Sequence, residues 1–420
     1  MIAVTSPPVA SVQTADGFRV SVLLSGDAQL SRLQARPVGS TNWGSMINPG
    51  VVDDVATYTV SGGLPGTVYE YQVLDESRSE IATGRCKTSP DADTALRIGL
   101  LSDTHIEINS TLTGPRYGYL VAAVAQLQGF KPDLVVNTGD LWSRAIPHPN
   151  QPFASAAEAR TAWLAYRQGI AALSSAAGWY NVPGNWDGMN GLDISNGNLF
   201  GVNAWQELWP QVTNATPVGD YWSFDYGPCT LIGLNGLSYT PHDFWTPEPG
   251  FLPQNWTLGA TQLAWFKATL AASDRRCKLV FIHHGPGGID AGYTNNAIYG
   301  FKTCDAVYVG EMRQVHLAMQ QHRVSAVFYG HDHSRRLAVK DGLQYVQSTS
   351  TMDYAQDSKG YSTILIENNT VTVEQRAVAD GSLIGSTVIN INNESGAARA
   401  FVNTSGKFLK SVSGAILTKP

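Results

Sequence analysis

Five apolar runs between residues 97 and 329 each break off at a short cluster of Gly, Asp, Asn or His, and this repetition constrains the fold more than any other feature. The clusters, in order, are Asp103-Thr104-His105, Gly139-Asp140, Gly184-Asn185, His283-His284 and Gly330-His331-Asp332-His333. The runs themselves, Arg97–Ser102, Asp133–Asn137, Trp179–Val182, Lys278–Ile282 and Val324–Tyr329, read as buried parallel strands. Segments of helical spacing separate them: Tyr117–Gln128, Ala154–Ala177, Gly259–Ala272 and a stretch near Tyr308–Gln321. A strand pair, Tyr221–Tyr226 and Thr230–Leu234, lies midway, and Gln344–Asn392 reads as antiparallel strands. Such alternation predicts an α/β sheet, in which ligands gather at the carboxyl ends of the strands.

The first 92 residues follow a different grammar. Short alternating stretches such as Arg19–Leu24 and Ala56–Val60 are bounded by Gly, Pro, Asp and Asn, as in an all-β module. Within it, Gly63-Leu64-Pro65-Gly66-Thr67-Val68-Tyr69-Glu70-Tyr71-Gln72-Val73 resembles the turn into the tyrosine-corner strand of fibronectin type III domains. Thr88-Ser89-Pro90-Asp91-Ala92 reads as a linker. The expected division is a β-sandwich over 1–92, a catalytic domain over 93–392 and a C-terminal extension of unknown role over 393–420.

The residue types in the clusters are the oxygen and nitrogen donors that borderline divalent ions take. Asp103 and His105 stand two apart, as do His331 and His333, so each pair can point one way from extended chain. Asp140 is a lone carboxylate after glycine, suited to bridge two ions, and Asn185 offers a neutral amide oxygen. Asp-x-His or Gly-Asp alone is commonplace. All five clusters in order, each after an apolar run, point to a dinuclear centre, with two ions about 3.5–4 Å apart clamping a phosphoryl oxygen and activating a water. The ions would be Zn, Mn or Fe.

The order Asp-x-His, Gly-Asp, Gly-Asn-x-Asp, His, Gly-His-x-His resembles the calcineurin-like metallophosphoesterase superfamily, which includes purple acid phosphatases and class III cyclic-nucleotide phosphodiesterases. Tyr221–Tyr226 before Leu231–Asn235, and Gln262-Leu263-Ala264-Trp265-Phe266-Lys267, are similar to further segments of that group. The likeness spans about Leu96 to Arg376, and the N-terminal β module matches the domain order of purple acid phosphatases. It implies a four-layer α/β/β/α sandwich and phosphoester hydrolysis by a metal-held hydroxide attacking phosphorus in line. It also implies one ion on Asp103, His105, Asp140 and His333, and the other on Asp140, Asn185, His283 and His331, with His284 the alternative to His283.

Two positions depart from the pattern. Ser143 stands where purple acid phosphatases carry the tyrosine that binds ferric iron, which argues against a purple centre. Trp186 stands where the family shows the histidine that contacts phosphate or protonates the leaving group, and indole has only an N–H donor. His284, Asp187 and His148 are the candidate replacements for that acid. Arg144 and Asn109, just past two clusters, are candidate phosphate contacts. Trp142, Trp186, Phe244, Trp245 and Trp256 flank the clusters and could stack a base or sugar, core packing being the alternative for each.

Composition sets the outer limits. A 420-residue chain with 43% hydrophobic and 15% charged residues is globular and long enough for two domains. A net charge of −6 argues against a nucleic-acid polymer as partner. No apolar run approaches the roughly 20 residues of a membrane span. Met1 to Pro8 lacks the basic and apolar regions of a signal peptide. The abundance of Gly, Trp and Tyr with little Lys nevertheless leans toward a secreted or periplasmic protein. Cys86, Cys229, Cys277 and Cys304 form no Cys-x-x-Cys pair and leave one or two disulfides open. Oligomeric state is not legible. The alternatives to a small-molecule phosphoesterase are a degenerate scaffold that has lost catalysis and a two-metal hydrolase of another ester, such as a sulfate ester.

Overall fold

The computed structural model describes residues 1–108, 114–143, 153–184, 186–187, 200–209, 220–236, 258–285, 311–331, 333, 335–351, 359–391 and 402–403. Seven strands come first: β1 (Ala3–Ser11), β2 (Phe18–Ser25), β3 (Arg32–Pro37), β4 (Gly50–Val52), β5 (Val55–Val60), β6 (Val68–Leu74) and β7 (Glu80–Lys87). β1-β2-β5-β4 form the end of an eleven-stranded sheet, and β3-β6-β7 a separate three-stranded sheet. Alternation along β6 shows why: Tyr69, Tyr71 and Val73 face inward onto Val20, Val22 and Tyr58, while Glu70 and Gln72 face out. The Tyr69 hydroxyl accepts the Leu64 N–H at 3.0 Å, pinning the preceding turn.

The rest is a four-layer α/β/β/α sandwich. In the first sheet, β8 (Leu96–Leu101), β10 (Leu134–Asn137) and β12 (Gly178–Asn181) run parallel. Beyond β8 the sheet continues antiparallel through β19 (Gly360–Glu367), β20 (Thr370–Ala377) and β21 (Leu383–Asn390). On its other side β12 meets β1 through the pair Ala10 and Gly178, so the N-terminal strands extend the same sheet. The second sheet runs β13 (Trp222–Tyr226), β14 (Cys229–Leu234), β15 (Cys277–Ile282), β16 (Ala326–Tyr329), β18 (Leu343–Gln347), β17 (Arg336–Lys340). Of the tail that reads as antiparallel in sequence, the first strand, β18, pairs antiparallel with β17 on one side and parallel with β16 on the other.

All four residues of β10 are buried, because both faces are covered, and its Leu-Val-Val-Asn run reflects that. Leu100, Val136, Leu231, Phe281, Phe328 and Ile364 fill the space between the sheets. Helices α1 (Pro115–Phe130) and α2 (Ala156–Ser174) cover the first sheet with Leu120, Val124, Leu127, Trp163 and Ile170. The helices Gly259–Ala272 and Glu311–Gln321 cover the second with Leu263, Phe266, Val315 and Met319. Helix α2 begins where Ser155 accepts the Glu158 N–H at 3.1 Å and the Glu158 carboxylate reaches back to Ala154 N–H.

Among the described residues, Cys86, Cys229 and Cys277 are buried free thiols, so no disulfide joins them; Cys304 lies outside the described residues. No described helix is long and apolar enough to cross a membrane.

Candidate metal centre

The carboxyl ends of β8, β10, β12, β15 and β16 converge at one edge of the sandwich, and each hands over directly to one of the polar clusters. Asp103, His105, Asp140 and His333 bring ligand atoms within 4.8 Å of one another, and His283, His284 and His331 form a second such group. Asp140 links the two: its Oδ2 lies 3.1 Å from His283 Nε2 and 3.4 Å from His105 Nε2. His105 Nε2 also faces His333 Nε2 at 3.1 Å, and Asp103 Oδ1 lies 3.4 Å from His333 Nε2.

The backbone holds these side chains in unusual conformations. Asp103, His105, Asp140, His331 and His333 all have positive φ, between 42° and 78°. Each costs on the order of 1 kcal/mol in an L-residue, and such strain concentrates at functional sites. Gly330 and Gly184 make the crowding possible. A Cβ on Gly330 would fall on Ser102 Oγ and the Asp103 carboxylate, and one on Gly184 on the backbone nitrogen and carboxylate of Asp140. A small parallel pair, β9 (Ile106–Glu107) with β11 (Trp142–Ser143), ties the loop of His105 to that of Asp140.

Buried acceptors aim the imidazoles. His105 Nδ1 donates to the Trp142 carbonyl at 3.1 Å and His283 Nδ1 to the Thr138 carbonyl at 2.8 Å, leaving each Nε2 for the centre. Main-chain carbonyls carry no sequence signature, so neither partner is visible in the sequence. The Asp103 carboxylate accepts Ser102 Oγ–H at 2.5 Å and the His331 N–H at 3.0 Å.

Electrostatics follow from burial. Burial lowers His105 to about 4, against the pull of Asp140, and lowers His331 to about 3, so both imidazoles are neutral donors near pH 7. Burial also lowers His283, but Asp140 outweighs it and holds that imidazole up at about 9. Burial and the charges of His331 and His283 keep His284 well below its ordinary value. Asp103 and Asp140 resist burial and sit below the usual carboxylate range because the histidines face them.

Residues 96–335 match the family model described as calcineurin-like phosphoesterase. The chain belongs to the calcineurin-like phosphoesterase family. Its fold is similar to that of the solved structure of PhoD, at 15% identity and a TM-score of 0.68, covering 98% of this chain and 92% of that one. It is also similar to a dimetal phosphatase from Danio rerio, at 16% identity and a TM-score of 0.50, covering 71% of this chain and 99% of that one. A comparison with curated proteins gives no match.

In this phosphoesterase the two groups fit a pair of metal ions. One offers two carboxylates and two imidazoles and the other three imidazoles, with Asp140 between them. Asn185, Asn109, Arg144 and His148 lie outside the described residues, as do Phe244, Trp245 and Trp256. Trp186 is partly exposed beside the centre, its ring 5.9 Å from that of His105 and its backbone N–H donating to Asp140 Oδ1 at 2.8 Å. Trp142 is fully buried against Phe153, Trp163 and Tyr166. Ring centroids of His284 and His331 are 4.2 Å apart. Asp187 lies wholly buried beneath Asp140 and accepts three backbone N–H groups, while burial and then the Asp140 charge push it up to about 7.

Proposed function

We propose that this enzyme hydrolyses small-molecule phosphoesters at a two-ion centre. One ion would rest on Asp103, His105, Asp140 and His333, the other on Asp140, Asn185, His283 and His331, with His284, a member of the second group, the alternative to His283. The carrying observation is that a single carboxylate oxygen, Asp140 Oδ2, faces both imidazole groups, at 3.1 Å and 3.4 Å. When bound, the ions would supply Lewis-acid stabilisation of charge on phosphorus and activate a water. The chain's part is to hold that centre rigid. Asp103 and His105 share one strained loop, and neutral His105 and His331 present lone pairs without a proton to displace.

Trp186 beside the centre has only an indole N–H, too weakly acidic to transfer its proton, so the leaving group would carry its own charge. Arg144 and Asn109 are the proposed phosphate contacts, and His284 and His148 the residues that would act if an acid takes part; Asp187, buried with both oxygens on backbone N–H groups, is read as a support for Asp140. The N-terminal strands are read as fibronectin type III-like; the packing of β1-β2-β5-β4, at the end of the larger sheet, on the three-stranded β3-β6-β7 and the Tyr69–Leu64 contact support this. A secreted or periplasmic setting is supported by composition alone.

The test is a panel of chromogenic phosphate mono- and diesters, with sulfate esters alongside, after loading with Zn²⁺, Mn²⁺ or Fe²⁺. The expected result is metal-dependent cleavage of phosphoesters, steeply faster for nitrophenyl than for alkyl leaving groups, because general acid catalysis worth about 10²–10⁴ is missing. Preference for the sulfate esters, or no turnover with any metal, would refute the reading. A flat dependence on the leaving group would refute the missing acid and make His284 the residue to mutate.

A further inference from the structure

Three consecutive backbone amides in the turn that carries Asp140 each meet a buried side-chain oxygen. Gly139 N–H donates to Asn137 Oδ1 at 3.0 Å, Asp140 N–H to Asp187 Oδ2 at 3.0 Å and Leu141 N–H to Asp187 Oδ1 at 2.7 Å. The same Asp187 Oδ2 accepts Gly184 N–H at 2.7 Å. One carboxylate therefore fastens the loop after β10 to the loop after β12. The neighbouring Trp186 backbone N–H donates to Asp140 Oδ1 at 2.8 Å. Trp186 and Asp187 together grip Asp140 by its backbone and by the oxygen that does not face the imidazoles.

We propose that Asp187 is a positioning residue whose carboxylate holds Asp140 in its left-handed conformation, so that Oδ2 stays turned toward both His105 and His283. The inference rests on the reading of Asp140 as the shared ligand. Asp140 has a φ of 54°, a conformation that costs an L-residue energy even where Asp enters it more readily than most. Two adjacent inward N–H groups need two adjacent acceptors, and the two oxygens of one carboxylate supply them. An amide in that place has one oxygen, and its NH₂ would oppose an inward N–H.

The experiment compares the full-length chain with Asp187→Asn, Asp140→Asn and the double variant. Zn²⁺ and Mn²⁺ affinities are measured by chelator competition, and kcat and KM for a nitrophenyl ester at limiting and saturating metal. Asp187→Asn is expected to bind metal about 10–100-fold more weakly, the range for losing a group that orients a ligand. Its kcat should recover at saturating metal while KM for the ester stays put. In the Asp140→Asn background the Asp187 substitution should add nothing, because it acts through Asp140. Unchanged metal affinity in Asp187→Asn, beside a wild-type chain that binds two ions, overturns the proposal alone, as does an additive double variant. A wild-type chain that binds no metal overturns the ligand reading and the proposal with it. If Asp187→Asn loses its near-UV circular dichroism, Asp187→Ser, which leaves room for a water to accept the amides, takes its place. Collapse of both assigns Asp187 to stability only and overturns the proposal.

Discussion

Asp140→Asn changes almost no volume, yet it should disable the enzyme. Oδ1 of Asp140 accepts the Trp186 backbone N–H at 2.8 Å, and that position demands an acceptor. The oxygen of the new amide goes there, and its NH₂ turns to where Oδ2 now faces His283 Nε2 at 3.1 Å and His105 Nε2 at 3.4 Å. A donor then replaces an anionic acceptor between the two ligand groups, and one negative charge is lost from a fully buried place. Removing one preorganised group that stabilises transition-state charge typically costs 10²–10³ in kcat, about 2.7–4 kcal/mol. Asp140 serves both ions on this reading, so a loss of at least about 10² in kcat/KM is expected even at saturating metal. The assay is nitrophenyl ester hydrolysis across a metal titration. Asp225→Asn is the control, a half-exposed carboxylate bound to Thr230 and Arg275 and expected to stay within about twofold. A loss under tenfold, or equal losses in variant and control, would show that Asp140 does not bridge.

Gly330→Ala should remove activity through packing: the new Cβ lands on Ser102 Oγ and the Asp103 carboxylate, overpacking worth about 1–3 kcal/mol. Circular dichroism and metal titration together should show a folded chain with weakened metal binding; full activity would contradict the crowded geometry. Arg167→Met should loosen the N-terminal strands from α2. The buried guanidinium donates to Ser6 Oγ at 2.9 Å, the Pro7 carbonyl at 2.9 Å, the Ser21 carbonyl at 3.0 Å and the Leu208 carbonyl at 3.1 Å. Leaving those acceptors buried should lower unfolding stability by about 2–4 kcal/mol, part of the loss being offset by removing a buried charge. An unchanged denaturant midpoint would argue against this contact as the staple.

The strands that position the centre were legible because they are buried on both faces and therefore apolar throughout, as in Leu134–Asn137 and Cys277–Ile282. Helices α1 and α2 are legible in their spacing; the Ser155–Glu158 cap of α2 is a finding of the structure. The two-residue strands β9 and β11 had no such signal, being too short for a period. The parallel pairing of β18 with β16 has no sequence signal, because alternation reports burial and not strand direction. At the centre, residue types and order pointed to the Asp and His set, but not to how it is held. Positive φ at Asp103, His105, Asp140, His331 and His333 belongs to residues that do not advertise it, unlike glycine. The sequence offers Asp187 as a candidate acid; two of its three backbone partners, Asp140 and Leu141, are remote in sequence and emerge only on folding.

The central claim is that Asp103, His105, Asp140, Asn185, His283, His331 and His333 hold two metal ions per chain. Elemental analysis of the purified protein, loaded with Mn²⁺ or Zn²⁺ and then freed of excess metal, tests it directly. The account predicts a ratio approaching two ions per chain in the wild type, falling in Asp140→Asn. A ratio near zero, with no gain in phosphoester hydrolysis on adding metal, would contradict it.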